Sequence, residues 1–211
     1  LEHCGRIGSH AKERCPNMRN IHKRYVRETY NEQGLLTDFD VVCPPDFNFG
    51  YDVVDDIANA TPERRAMVWC NPEGEEHVFT FADMKKWSDK TANFLASCGI
   101  GRGDFVMVIL RRHYQFWFVA TALAKLGAVM VPATFMLKEH DMEYRLNRAD
   151  IKAVIATSCG DVAQVVDNVA SACQSLAARI LVNGAGGGLT PLDENGVLLA
   201  ARAQGPVGAV L

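Results

Sequence analysis

The apolar positions change rhythm along the chain. In "FADMKKWSDKTANFLASCG", Met84, Trp87, Thr91, Phe94, Leu95 and Cys98 recur at spacings of three and four, and Gly99 follows. That period predicts one buried face of an α-helix with a glycine stop. From residue 104 the runs become continuous. "DFVMVIL" reads as a strand buried on both faces. "HYQFWFVATALAKLG" is apolar almost all round, which predicts a helix covered on more than one side. "AVMVP" is a second strand, stopped by Pro132, and "LKEHDMEYRLNRAD" a charged helix with Met142 and Leu146 inward. "KAVIAT" is a third strand. "GDVAQVVDNVASACQSLAAR" is a helix carrying Val162, Val165, Val166, Val169, Cys173 and Leu176 on one face, and "RILVNG" a fourth strand. Strand–helix alternation with short links predicts an α/β fold: a largely parallel sheet, right-handed crossovers, and helices on both faces.

The upstream pattern is weaker. In "NMRNIHKRYVRETYNEQG", Met18, Ile21, Tyr25 and Thr29 lie at helical spacing and predict a surface helix ending at Gly34. Two prolines keep "VVCPPDFNFG" extended or turning. "YDVVDDIANATPERR" predicts a short helix with Asp52 at its cap, and "RAMVWC" and "EHVFTF" a β-hairpin closed by "NPEGE". Three regions follow: a helical or extended N-terminal extension (1–47), an α/β subdomain (48–183), and an irregular Gly/Ala-rich tail (184–211). Within the tail only "GVLLAARA" predicts a helical turn or two.

Composition narrows the function classes. The 211 residues carry a net charge of −3, without the basic excess expected of a nucleic-acid binder. No apolar run approaches the ~20 residues of a membrane-spanning helix. "LEHCGRIGSH" lacks the apolar core of a signal peptide and begins without Met, so a start inside a longer frame is expected. The seven cysteines show no CxxC spacing. Reduced thiols in a cytoplasmic protein are the expectation.

A dinucleotide-binding turn needs G-x-G-x-x-G directly after its strand. The strands here lead instead into "RRHYQF", "ATFMLK" and "SCGDVA". The glycine-rich run "NGAGGGLT" does follow a strand, yet Leu189 stands where the third glycine belongs and no Lys-Ser/Thr pair follows. A nicotinamide-dependent oxidoreductase is therefore disfavoured, and the run reads as a linker.

Several stretches taken together resemble the N-terminal part of the AMP-forming acyl-CoA synthetases, members of the adenylate-forming superfamily. "FTFADMKKWSDKTANFLASCGIGRGDFVMVIL" is similar to a first core motif with its following strand, and "ALAKLGAVMVPAT" to a second. "FNFGYDVVDDIA" with "VWCNPEGEEHVFTF" resembles the acetyl- and medium-chain branch. The resemblance covers roughly residues 18–183. It implies the partial N-terminal domain of an adenylate-forming ligase of fatty acid metabolism. Such an enzyme joins a carboxylic acid to CoA, with ATP and Mg²⁺, through an acyl-adenylate, releasing pyrophosphate and AMP. The family's Thr/Ser/Gly-rich ATP loop, its later motifs and its C-terminal domain have no counterpart in the sequence, and the tail from Gly184 does not resemble the family. The expectation is a truncated or frameshifted fragment, inactive alone, with no catalytic residue assigned.

The resemblance implies two binding residues in "PATFMLKEHDMEYRLNRAD": Arg145 as a CoA contact and Met136 near the pantetheine. Against it stand an Asp141–Arg145 pair on a solvated helix face and a core role for Met136. "RRH" (111–113) concentrates positive charge at a strand end, where α/β sheets bind ligands, although a solvated loop fits it too. "FWF" (116–118) reads as core packing and His77 as a surface residue. The alternative function is a non-catalytic α/β binding or interaction module, supported by the apolar helix at 113–126, whose surface would be sticky if left uncovered.

Overall fold

The four apolar runs form one parallel sheet. A computed structural model describes residues 18–182 and 199–203. The strands are β5 (Phe105–Ile109), β6 (Val129–Pro132), β7 (Ala153–Thr157) and β8 (Ala178–Val182). Their order is β6-β5-β7-β8, all parallel, with β9 (Leu199–Ala203) antiparallel at the β8 edge. The sequence predicts helical turns where β9 forms. The free edge of β8 supplies backbone partners that a one-turn helix lacks.

The connecting helices are α3 (Gln115–Leu126), α4 (Glu139–Arg148) and α5 (Val162–Val169), with a 3₁₀ turn at Ala170–Ala172. Alternate strand residues point to opposite faces, and the two cores divide accordingly. Met107, Ile109, Val154 and Ala156 pack with Met142 and Leu146 of α4 and the four valines of α5. Val106, Val108, Ala153, Ile155 and Ile180 pack with Val119, Ala122 and Leu123 of α3 and with Ala92 and Leu95 of α2 (Phe81–Ser97). Helices thus cover both faces, as the pattern predicts.

Helix α2 begins with a reciprocal cap: Thr80 Oγ1 accepts from the Asp83 N–H, and Asp83 Oδ2 accepts from the Thr80 N–H. It ends at Gly99, whose φ of +81° suits glycine. Before it lies the hairpin β3 (Arg65–Cys70)–β4 (Glu76–Thr80), in which Met67 faces Phe79 and Trp69 faces His77.

The "FNFGYDVVDDIA" stretch becomes a π-helical turn, Gly50–Asp55, running into α1 (Asp56–Ala60). It is tied to α3 through a buried lysine. Lys125 Nζ donates to Asp55 Oδ1 at 2.7 Å and to Asp89 Oδ1 at 2.6 Å. Asn48 Nδ2 donates to the Ala124 carbonyl at 2.7 Å. A Cβ on Gly50 would stand 2.5 Å from Lys125 Cγ, so the close approach requires glycine there. The near-continuous apolar character of α3 predicts burial and conceals the fact that its lysine is buried too.

The chain divides into two compact units between Phe47 and Asn48. In the first, a 3₁₀ helix (Met18–Arg24) leads into β1 (Val26–Tyr30), paired antiparallel with β2 (Leu36–Val41). The helix predicted to run to Gly34 therefore stops ten residues early. Asn31 Oδ1 accepts from the N–H groups of Gln33 and Leu35, and Gly34 takes φ +75°. This side-chain-stabilised turn lets Val26, Thr29 and Tyr30 pair as a strand. Their β preference outweighs a helical spacing that carries only a narrow apolar stripe.

Candidate functional site

The two ends of the parallel sheet are built differently. At the N-terminal ends of the strands, polar groups pair with one another. Asp104 Oδ2 accepts from Lys152 Nζ at 2.8 Å and from the Gly101 N–H at 2.7 Å. The lysine ammonium holds this carboxyl below the ordinary carboxylate range, with the Gly101 N–H assisting. The Gly103 N–H donates to Gly127 O, and the N–H groups of Ala177 and Ala178 both donate to Lys152 O.

The C-terminal ends carry the loops that the sequence marks. The chain runs from β5 to β6 on one side, then crosses back to β7 on the other, so the order reverses between β5 and β7. Helix α3 leaves this point on one face of the sheet and α5 leaves it on the other. Open α/β sheets bind ligands in the crevice that such a reversal creates. The loop after β5 holds Arg111, Arg112 and His113. His113 Nε2 shares a hydrogen bond of 2.7 Å with Oγ1 of Thr157, the last residue of β7. That bond spans the reversal. Thr157 Oγ1 also accepts from the Cys159 N–H at 3.1 Å, which ties in the loop after β7. Burial, and next the charge of Arg111, hold the His113 imidazole below its ordinary range.

From the β6 side, the Phe135 ring meets Arg111, whose guanidinium carbon lies 4.3 Å from the ring centroid. Phe135 remains 41% exposed and Met136 69%. Met136 is therefore a surface residue at the open end of the sheet and has no core role. Arg145 is exposed in the last turn of α4, and among the described residues no ion pair joins it to Asp141. Six residues of helix, about 9 Å, separate it from the first residue of α4, so Met136 and Arg145 are not brought together. Beside Arg145 the helix lines an open recess of about 420 Å³ with His140, Glu143, Tyr144, Asn147 and Arg148.

The hairpin reaches the open end through a cluster of rings. Trp69, His77, Phe79, Tyr114 and Phe118 form a chain of ring contacts with centroids 5.0–6.1 Å apart. The Trp69 indole N–H donates to the Arg112 carbonyl. His77 is thus half-buried among rings, with Nε2 on Glu75 Oε1 at 2.8 Å. Of "FWF", Phe118 is core at 1% exposure while Trp117 stands 55% exposed. Sequence reasoning flagged "RRH" but missed Thr157 and Trp69, which reach it from other strands. The glycine-rich run 183–190 lies outside the described residues.

A family profile described as AMP-binding enzyme matches residues 54–200. The chain belongs to the AMP-binding enzyme family. It is 34% identical over 160 residues to the mitochondrial acyl-coenzyme A synthetase ACSM4 of Rattus norvegicus, covering 70% of this chain and 27% of that protein. It is 36% identical over 146 residues to human mitochondrial ACSM2A, covering 66% and 25%. The chain thus spans about a quarter of the length of the curated relatives it matches. Among solved structures it resembles a Mycobacterium tuberculosis fatty acyl CoA synthetase (TM-score 0.52, 27% identity, 59% of this chain and 24% of that one). It also shares the fold of the N-terminal domain of FACL13 from the same organism (TM-score 0.56, 24% identity, 64% and 33%). One expectation is overturned. The relatives are mitochondrial proteins, which contradicts the cytoplasmic location read from the cysteines. Unpaired thiols report a reducing compartment without naming which one.

Proposed function

We propose that this chain is the front part of an AMP-forming acyl-CoA synthetase, an acid–thiol ligase acting on a carboxylic acid, ATP and CoA. The supporting observation is kinship at 34–36% identity with acyl-coenzyme A synthetases, together with a family match over residues 54–200, which lie within one compact unit. The same kinship points to a mitochondrial compartment. The open end of the sheet is the ligand side. Met136 offers an exposed apolar contact for the pantetheine of CoA, and Arg145, two turns along α4 beside the recess, a cation for its phosphates. CoA is an extended molecule, so the separation of the two residues suits its two ends. Mg²⁺ is assigned no site in this chain: among the described residues no group of three or more His, Cys, Asp or Glu could hold a metal ion.

The described residues supply binding and orientation. Charge that develops during acyl and adenylyl transfer needs positioned donors, and among the described residues none is arranged as a catalytic constellation. The chain alone is therefore proposed to be inactive. The test is carboxylate-dependent ATP–pyrophosphate exchange together with CoA titration. The expected result is no exchange, but CoA binding that Arg145→Gln weakens about tenfold, the loss of one charged hydrogen bond. Robust exchange by the chain would contradict the first statement, and CoA binding indifferent to Arg145 the second.

A further inference from the structure

The loop after β5 is held from two sides, and each hold comes from a different part of the chain. On the β7 side, His113 is bonded to the Thr157 hydroxyl. On the hairpin side, the Trp69 indole N–H donates to the carbonyl of Arg112. Between these two fastened residues and the end of β5 stands Arg111, with its guanidinium over Phe135. The Trp69 ring is itself fixed, edge-on to Tyr114 with centroids 5.4 Å apart and tilted against His77 at 5.6 Å. The indole therefore reaches the loop from a rigid base, and a rigid base transmits position. The anchored Arg112 carbonyl lies next to Arg111, whose side chain faces the β6 loop.

We propose that Trp69 is a positioning residue for the open end of the sheet: its indole N–H sets the 110–113 backbone so that Arg111 stands over Phe135, next to Met136, where the pantetheine arm of CoA is met. The role of the ligand rests on the acyl-CoA synthetase reading, whereas the placement of Arg111 does not. Trp69 touches no ligand and acts through Arg111.

The experiment uses the isotope-labelled 211-residue chain and its Trp69→Phe variant, which keeps a smaller aromatic ring in the cluster and removes the N–H donor. Three quantities are read: the Arg111 Nε–H resonance, shifted upfield while it lies over the Phe135 ring; the affinity for CoA; and the thermal melting point. Expected for the variant are nearly unchanged melting, loss of the ring-induced shift, and about tenfold weaker CoA binding, as for one lost hydrogen bond. An unmoved Arg111 resonance in the folded variant overturns the proposal. If the wild-type chain does not bind CoA but the resonance moves, the positioning role stands and the CoA reading falls. Should the variant fail to fold, exchange of the Trp69 indole proton in the wild-type chain decides. Protection well above that of a free indole supports the hold on Arg112, and exchange at the free rate overturns it.

Discussion

The two ends of the same parallel sheet solve opposite problems. At the N-terminal end, charge is matched by opposite charge. Asp104 meets Lys152 and the Gly101 N–H, and nearby, at the end of α3, Lys125 lies buried between Asp55 and Asp89. At the C-terminal end, Arg111 rests on a ring that is itself 41% exposed, and Met136 stands in solvent. Internal pairing serves stability, while side chains left facing water remain available to a ligand. Substitutions at the closed end should therefore cost folding free energy, and substitutions at the open end should cost binding.

The largest effect is expected at Lys125. Lys125→Ala leaves the buried Asp55 without its counter-charge, a class of change that costs about 3–5 kcal/mol. Urea unfolding at neutral pH reads it directly, and a loss below about 1 kcal/mol would show that the closed end is not held by this ion cluster. Gly50→Ala ranks next. The new methyl would meet Lys125 Cγ at 2.5 Å and the Thr121 carbonyl at 3.2 Å, and overpacking of this kind costs about 1–3 kcal/mol. Thr80→Ala removes one half of the α2 capping box and is expected to cost about 1 kcal/mol. At the open end, Arg111→Gln should change stability by no more than about 0.5 kcal/mol while weakening CoA binding.

The pH response separates the ends as well. Asp104 is held below the ordinary carboxylate value of 3.8. Its contribution is complete above that value and is lost as pH falls through the lower folded-state pKa, because the unfolded chain takes up its proton first. His113 is held below 6.5. The unfolded imidazole again protonates first, so its contribution is complete above about 6.5 and declines as pH drops from there toward the folded-state value. Asp104→Asn should flatten the stability curve only near the acid end, and His113→Gln only between the ordinary imidazole value and the lower folded one. Unfolding midpoints measured from about pH 3 to about pH 8 check both.

Much of this architecture was legible in the sequence, because continuous apolar runs and 3.6-residue periodicity report burial directly. The strands at 105–109, 129–132, 153–157 and 178–182 and the inward Met142 and Leu146 fall where the pattern puts them. The pattern failed where a partner was distant or the signal local. The spacing of Met18, Ile21 and Tyr25 suggests a helix that the Asn31–Gly34 turn ends in favour of β1 and β2. Nothing in "ALAKLG" marks Lys125 as an enclosed cation, since its acidic partners lie 36 and 70 residues away in sequence. "RRH" stood out as charge at a strand end, but neither Thr157 nor Trp69 carries a local mark that it will reach that loop. Periodicity records how much of a side chain is buried; it does not record which one it will meet.

The most direct test of the contrast between the two ends is a CoA titration of the labelled chain, followed residue by residue through amide resonances. CoA is expected to move the signals of 110–113, 134–138 and 158–161, at the open end, and to leave those of 101–104 and 150–152, at the closed end, where they were. Shifts centred on the closed end, or no shifts at saturating CoA, would contradict it.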